Sequence, residues 1–299
     1  MNFKTVARMT ILDGKTLANE LVVKIRTEVD QITSGGKRSP HLAAILVGNN
    51  PASRAYVGNK MKLCEKAGFR SSLIERDDSC SEEELLMLIQ TFNNDPDLDG
   101  YIVQLPLPKH IEEQKVLRAI HPSKDVDGFH PENIGKMTLG LSGYRPATPL
   151  GIMIMLENYG IETAGKHCVV VGRSNIVGTP VSILMSRKGY PGDATVTLAH
   201  SRTQDLPGLV KQADIVIAAI GIAEFVKGDW IKPGAVVIDV GMNRVEDPSS
   251  AKGYRLTGDV DYEAASLNAS AITPVPGGVG PMTVFALIHN TLQAYNSRF

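Results

Sequence analysis

The stretch Cys168-Val-Val-Val-Gly172-Arg173-Ser174-Asn175-Ile176-Val177-Gly178-Thr179-Pro180 decides the fold of this chain. It reads as strand, glycine turn and helix. The unbroken apolar run Cys168–Val171 suits a strand covered on both faces. Gly172 at the strand end allows a turn and lets a phosphate approach the backbone. The helix that follows offers unpaired N–H groups and a positive dipole end. The spacing is G-x5-G, not G-x-G-x-x-G, and no Gly-Lys-Ser/Thr follows, so a Walker phosphate loop is excluded. The plainer reading is a bare strand-to-helix turn. An NAD site commonly places an acid near the end of the second strand, on the ribose 2′-OH. Here that strand ends His200-Ser201-Arg202, without an acid. Arg173 and Ser174 suit a 2′-phosphate through charge-assisted hydrogen bonds, so the reading is NADP in preference to NAD. The bland alternative for Arg202 is a solvated surface arginine.

Working outward, the same half carries further buried strands at Ala194–His200, Ala213–Gly221 and Gly234–Gly241, with helix-length connections between most of them. A helix after Thr148-Pro149, running to about Tyr159, opens this half, and a helix from Met282 to about Tyr295 closes it. Upstream, a helix over Gly14–Ser34 ends at Gly35-Gly36, and His41–Gly48 is a buried strand. Ser53–Ala67 is a helix with Ser53 as N-cap and Gly68 at C′. Ser71–Arg76 is a strand. Ser81 and Glu84 have capping-box spacing, Tyr101–Pro108 is a strand, and Glu112–Ile120 is a helix. Strands alternating with helices predict a parallel, layered α/β arrangement. His121–Pro149 is rich in Gly, Pro and polar residues and is long for a simple connection. The expected architecture is two layered α/β domains, residues 1–149 joined by the C-terminal helix 281–299, and residues 150–280 as a Rossmann-type parallel sheet. The active face is expected in a cleft between them.

Composition narrows the function. Of 299 residues, 43% are hydrophobic and 21% charged, which suits a globular protein with a substantial core. Lys plus Arg is 31 and Asp plus Glu is 32, a net charge of −1, which argues against nucleic acid as partner. No apolar run approaches the roughly 18 residues of a membrane span. Cys64, Cys80 and Cys168 show neither a CxxC pair nor zinc spacing, so reduced thiols and a cytoplasmic location are expected. The segment MNFKTVARMTILDGK has Lys4 and Arg8 but no apolar h-region. It is therefore read as a disordered tail, with a short mitochondrial presequence as the alternative.

Several residues carry chemistry. Tyr56 and Lys60 are four apart on a predicted helix and share a face. The lysine could move a proton, and the tyrosine could stack on a flat ligand or orient the lysine. The commoner reading of such a pair is a solvated helix face. Y-x-x-x-K is also the short-chain dehydrogenase pattern, but there the nucleotide turn comes first, and here the order is reversed. Gln104 interrupts an apolar strand and must be hydrogen-bonded. Asp125-Val126-Asp127-Gly128 could suggest calcium, but the twelfth position is Lys136 and not Glu, so an EF-hand is rejected. Asp127 remains a carboxylate able to pair with a ligand amine or with an adjacent residue. Thr273–Pro281, TPVPGGVGP, can bring bare backbone against a ligand, or can simply be a rigid loop.

Taken together, PASRAYVGNKMKLCEKAG, GYIVQLPLP, KDVDGFHPEN, VVVGRSNIVGTP, AHSRT, GAVVIDVGMNR, GDVDY and TPVPGGVGPMT resemble the bifunctional methylenetetrahydrofolate dehydrogenase/cyclohydrolase family, in its order and from about residue 10 to 295. The resemblance implies that Tyr56 packs on the folate ring system, that Lys60 is the essential lysine, and that Gln104 positions or tunes it. It implies that Asp127 hydrogen-bonds the pterin. Val103 and Leu105 would flank Gln104 in the folate pocket, and Pro276, Gly277, Gly278, Val279 and Gly280 would border it. Gly172, Arg173, Ser174 and Ile176 would form the NADP turn, Ser201 would lie near the adenosine phosphate, and Met242 would stand where the family often has isoleucine near the cofactor. The implied activity is an oxidoreductase and hydrolase of one-carbon metabolism acting on tetrahydrofolate substrates. It needs no metal and works as a homodimer paired through the nucleotide-binding domain, without a formate–tetrahydrofolate ligase domain. Alternatives are a monofunctional dehydrogenase and a non-catalytic NADP-binding sensor.

Overall fold

The structure, a computed structural model, describes residues 9–250 and 253–298; the expected N-terminal tail, with Lys4 and Arg8, lies outside the described residues. The chain divides into two compact units. A leading unit takes Ala18–Ala147 and the stretch from Val284 onward, and a trailing unit takes Thr148–Thr283 and the stretch through Leu17. Strand β1 (Thr10–Ile11) belongs to the trailing unit, because it pairs in parallel with Ala271–Ile272. The expected domain of residues 1–149 is therefore redrawn at its start: the first described strand finds its backbone partners in the other half of the chain.

The leading unit is built from α1 (Gly14–Ser34), most of which lies in it, β2 (His41–Val47), α2 (Pro51–Lys66), β3 (Arg70–Arg76), α3 (Glu82–Asn94), β4 (Gly100–Val103) and α4 (Glu113–Ala119). Its sheet has the order β3-β2-β4, all parallel. The central strand HLAAILV is buried at every position, as a strand with helices on both faces must be. Ala43, Ile45 and Val47 pack with Leu85 and Ile89 of α3, Tyr101 and Val103 of β4, and Val116 of α4. Each fully buried Leu or Ile contributes about 1.5–3 kcal/mol. The capping box is made as read: the Glu84 amide donates to Ser81 Oγ at 3.2 Å and the Ser81 amide to Glu84 Oε2 at 2.8 Å. Helix α2 starts earlier than expected. Asn50, not Ser53, is the N-cap, its Oδ1 accepting from Ala52 and Ser53 N–H at 2.9 and 3.2 Å, with Pro51 in the first turn where its missing N–H costs nothing. The connection His121–Pro149 is not irregular throughout, since it holds α5 (Pro131–Leu139), capped by His130 and ended by Gly140 in the left-handed conformation.

The trailing unit starts with α6 (Ala147–Asn158), whose first residue closes the leading unit. It continues with β5 (His167–Val171), α7 (Gly178–Ser186), β6 (Thr195–Ala199), α8 (Leu206–Val210), β7 (Ile215–Ala218) and β8 (Val236–Asp239). An antiparallel pair not foreseen from sequence follows, β9 (Asn243–Glu246) with β10 (Tyr254–Thr257). Then come α9 (Tyr262–Ser266), β11 (Ala271–Ile272) and α10 (Val279–Asn296), which begins three residues before the expected Met282. The main sheet runs β1-β11-β8-β7-β5-β6 with every pair parallel. From β5 the chain moves to β6 on one side and then to β7 on the other. The carboxyl end of β5 is thus the topological switch point, where open α/β sheets form their ligand crevice.

Candidate active site

In the leading unit, α2 presents Tyr56 and Lys60 from one face while Val57 and Cys64 are buried from another. Burial pushes the Cys64 thiol up to about 12, so it behaves as a small apolar side chain. Strand β4 stops at Val103, and Gln104 follows it instead of interrupting it as expected. The Gln104 amide still donates to the Ile45 carbonyl at 2.9 Å, which fixes the residue at the sheet's carboxyl edge. Its side-chain Nε2 donates to the Leu105 carbonyl at 2.7 Å. That bond sets the amide's orientation and leaves Oε1 to accept from Lys60 Nζ at 3.1 Å. Tyr56 is 40% exposed, so its ring is available to a ligand. Val103 is buried in the sheet core, so only its backbone can meet a ligand, and half-buried Leu105 packs against the same core.

Asp127 stands on the loop between α4 and α5. Burial raises its carboxyl above the usual carboxylate range, and the positive charge of Lys60 pulls it back down. The two groups therefore lie within electrostatic reach. The neighbouring Asp125 has a different place. Its buried carboxylate accepts from the backbone N–H groups of Gly128, Phe129 and His130 and from Asn133 Nδ2. It builds the loop and is closed to a ligand.

In the trailing unit the glycine turn sits at the carboxyl ends of β5 and β7. Gly172 has φ 117°, and a Cβ there would come 2.1 Å from the Ala219 carbonyl oxygen. A Cβ on Gly178 would come 2.0 Å from the Gly172 carbonyl oxygen. Both positions accept only glycine because backbone crosses backbone. Ser174 Oγ accepts from the Val177 and Gly178 amides at 3.2 and 3.3 Å, folding the turn into the start of α7. Arg173 and Ile176 stay exposed beside it, and Ser201 is exposed just past β6, the strand next to β5.

Two buried acids shape the loops around this turn. Asp259 accepts from the amides of Ile220, Gly221 and Ile222, directly after β7, and from Asn243 Nδ2. Asp239 accepts from Gly241, Asp259 and Val260, and burial raises its carboxyl to about 6. The Thr273–Pro281 segment is folded onto the start of α1: the Lys15 amide donates to the Gly277 carbonyl, and a Cβ on Gly14 would meet the Gly278 oxygen at 1.9 Å. Only part of the segment is loop. Val279 and Gly280 begin α10, Val279 is buried, and Met242 lies against Gly280.

Two family models cover nearly all of the chain. "Tetrahydrofolate dehydrogenase/cyclohydrolase, catalytic domain" matches residues 12–127, and "Tetrahydrofolate dehydrogenase/cyclohydrolase, NAD(P)-binding domain" matches residues 146–299. The chain belongs to the tetrahydrofolate dehydrogenase/cyclohydrolase family. It is 59% identical over 290 residues to the bifunctional protein FolD of Flavobacterium johnsoniae, covering 97% of this chain and 98% of that protein. The crystal structure of the bifunctional enzyme FolD from Campylobacter jejuni is similar at TM-score 0.91 and 44% identity, covering 97% of this chain and 100% of that one. The FolD structure from Trypanosoma brucei, complexed with NADP cofactor and inhibitor, is similar at TM-score 0.92 and 38% identity, covering 97% and 98%.

Within this member of the tetrahydrofolate dehydrogenase/cyclohydrolase family, sequence reasoning brought out Tyr56, Lys60 and Gln104, and the structure joins the last two directly. It missed Asp125 as the organiser of the Asp127 loop, and it missed Asp239 and Asp259. The available signal was that each is an acid in a largely apolar or glycine-flanked stretch, where a buried carboxylate needs several donors. Among the described residues, no group of three or more His, Cys, Asp or Glu side chains could hold a metal ion, and no helix is long and apolar enough to cross a membrane.

Proposed function

We propose that this protein oxidises 5,10-methylenetetrahydrofolate to the 5,10-methenyl compound with NADP and then hydrolyses that product to 10-formyltetrahydrofolate. The observation that carries the reading is the Lys60–Gln104 contact at 3.1 Å beside an exposed Tyr56, in a chain whose family is defined by these two activities. The folate is assigned to the leading unit and NADP to the trailing one.

The residues of the glycine turn fit a dinucleotide. The absent side chains at Gly172 and Gly178 let the turn fold tightly onto the start of α7, and that first turn has no side-chain cap of its own at Val177, which suits a phosphate at the helix N-terminus. Arg173 supplies a guanidinium for a 2′-phosphate, with Ser174 and Ser201 as hydroxyl donors. A dinucleotide held there would supply the acceptor for the hydride that leaves the one-carbon bridge. The chain's own part in that step is to hold the folate. Tyr56 stacks on the ring system, and the Asp127 carboxylate accepts from pterin N–H donors. In the hydrolytic step water attacks the methenyl carbon and the five-membered ring opens, which needs proton transfer. Lys60 is the group assigned to it. Gln104 Oε1 occupies one ammonium proton and so aims the others.

A homodimer is part of the proposal. The resemblance to the family supports it, and so does β6, which ends the main sheet with no strand on its outer edge among the described residues. Light scattering on the purified protein would test it, and a monomer at micromolar concentration would remove it. A cytoplasmic location accords with the buried free thiols and with the bacterial relatives, which lend no support to a mitochondrial destination. The activity itself is tested by supplying 5,10-methylenetetrahydrofolate and NADP, following NADPH formation, and then following decay of the methenyl absorbance. Both signals are expected. NADPH without accelerated methenyl decay would mean a monofunctional dehydrogenase, and neither signal would mean a sensor.

A further inference from the structure

We infer that Asn290, together with Asp125, is a positioning residue that fixes the place of Asp127 and through it the seat of the pterin. The inference rests on the reading of Asp127 given above. Asp127 lies in a turn whose neighbouring peptide groups are each held from within the leading unit. Nδ2 of Asn290, a residue 1% exposed, donates to the carbonyls of Val126 at 2.8 Å and Arg145 at 2.9 Å. The Ala147 amide donates to the carbonyl of Asp127 itself at 3.1 Å. On the far side Asp125 accepts from Gly128 and Phe129 at 3.2 Å each, and from His130 and Asn133 Nδ2 at 2.8 Å each. The Asp127 carboxylate has no hydrogen-bond partner among the described residues. The surrounding bonds hold the backbone, and the one acid left over is half-buried and open to a ligand.

Asn290 has a second peculiarity. Its Oδ1 is buried and accepts nothing. A buried acceptor without a donor costs desolvation free energy, so satisfying a polar core does not account for this residue. Its two donor bonds do. The amide has no alternative orientation, because turning it over would set Oδ1 against two carbonyl oxygens and leave Nδ2 unpaired. A leucine of similar volume would fill the space without an orphaned acceptor if packing were the only demand. What the amide achieves is a tie between residue 126 and residue 145, holding the Val126–Gly128 turn against the segment through Arg145, which lies so close that a Cβ on Gly128 would stand 2.5 Å from the Arg145 carbonyl carbon. Without that tie the segments separate and Asp127 swings with them.

The test is a double-mutant cycle read in Michaelis constants. Asn290→Leu is expected to raise KM for 5,10-methylenetetrahydrofolate about tenfold, with kcat and the Kd for NADP changed by less than about threefold. In an Asp127→Ala background the same substitution is expected to add nothing further. A full additional rise in that background would show that Asn290 acts on packing at large, and would overturn the inference. An unchanged KM in Asn290→Leu, where Asp127→Ala raises it, overturns the inference and leaves the reading of Asp127 standing. An unchanged KM in Asp127→Ala overturns both. Should Asn290→Leu fail to fold, Asn290→Ala, which removes both donor bonds with a smaller side chain, and Asp125→Asn carry the same cycle with the same criteria.

Discussion

At the scale of single residues, the proposed chemistry rests on one amine, Lys60, and one carboxylate, Asp127. Replacing Lys60 by methionine keeps the length and removes the amine to which proton transfer is assigned. Lys60→Met is expected to lower the cyclohydrolase rate by about 10²- to 10⁴-fold while NADP binding stays within error. Methenyl decay and NADP titration measure the two, and wild-type hydrolysis in the variant would take Lys60 out of its role. The Asp127 carboxyl gives a pH dependence. Burial raises its pKa and Lys60 opposes that. Pterin N–H donors need the ionised form, so affinity is present above the folded pKa and lost as pH falls through it. KM for the folate is therefore expected to climb on acidification, starting at higher pH than an ordinary carboxylate would give. Asp127→Asn is expected to flatten that limb. A limb that persists in the asparagine variant assigns it to another group.

At the scale of elements, function depends on places where backbone meets backbone. The first turn of α7 tucks under the β5 turn so closely that a methyl group on Gly178 would stand 2.0 Å from the Gly172 carbonyl oxygen. No side chain is there to move aside. Gly178→Ala is expected to abolish NADP binding by opening the turn and to cost about 1–3 kcal/mol of stability, seen as a lower urea midpoint. Normal NADP affinity in that variant would mean the turn does not bind phosphate. The same reasoning explains the ends of β4 and α2. Gln104 keeps its ladder bond to Ile45 but leaves the strand, and Asn50 with Pro51 starts the helix one turn before the residue pattern alone predicts.

At the scale of the whole molecule, two units with separate cores share one chain. The single tryptophan, Trp230, lies in the trailing unit and packs edge-on against Phe225 at 5.8 Å. Its fluorescence therefore reports that unit. NADP at a hundred times its Kd is expected to stabilise the unit by about 2.7 kcal/mol and to delay the tryptophan transition by several degrees. Arg173→Ala loses a charge-assisted contact worth about 1.5–3 kcal/mol, so the shift should shrink for NADP and stay nearly unchanged for NAD. Equal shrinkage with both would undo the 2′-phosphate assignment.

What the sequence determined by itself is whatever rests on local pattern. Runs such as HLAAILV and CVVVG demand burial on both faces, glycines at their ends demand turns, and Ser81 with Glu84 demands a helix start. The parallel α/β class, the nucleotide turn and the Tyr56, Lys60 and Gln104 set follow from these and from the family resemblance. Only the tertiary structure decided the rest, because its partners lie far apart in the chain. Strand β1 joins the trailing sheet through Ala271–Ile272. Asp259 gathers amides some 38 residues upstream, and Asn290 reaches back 164 residues to Val126. A buried carboxylate or amide is tolerated only where donors or acceptors converge on it, and convergence over such separations leaves no periodicity in the sequence.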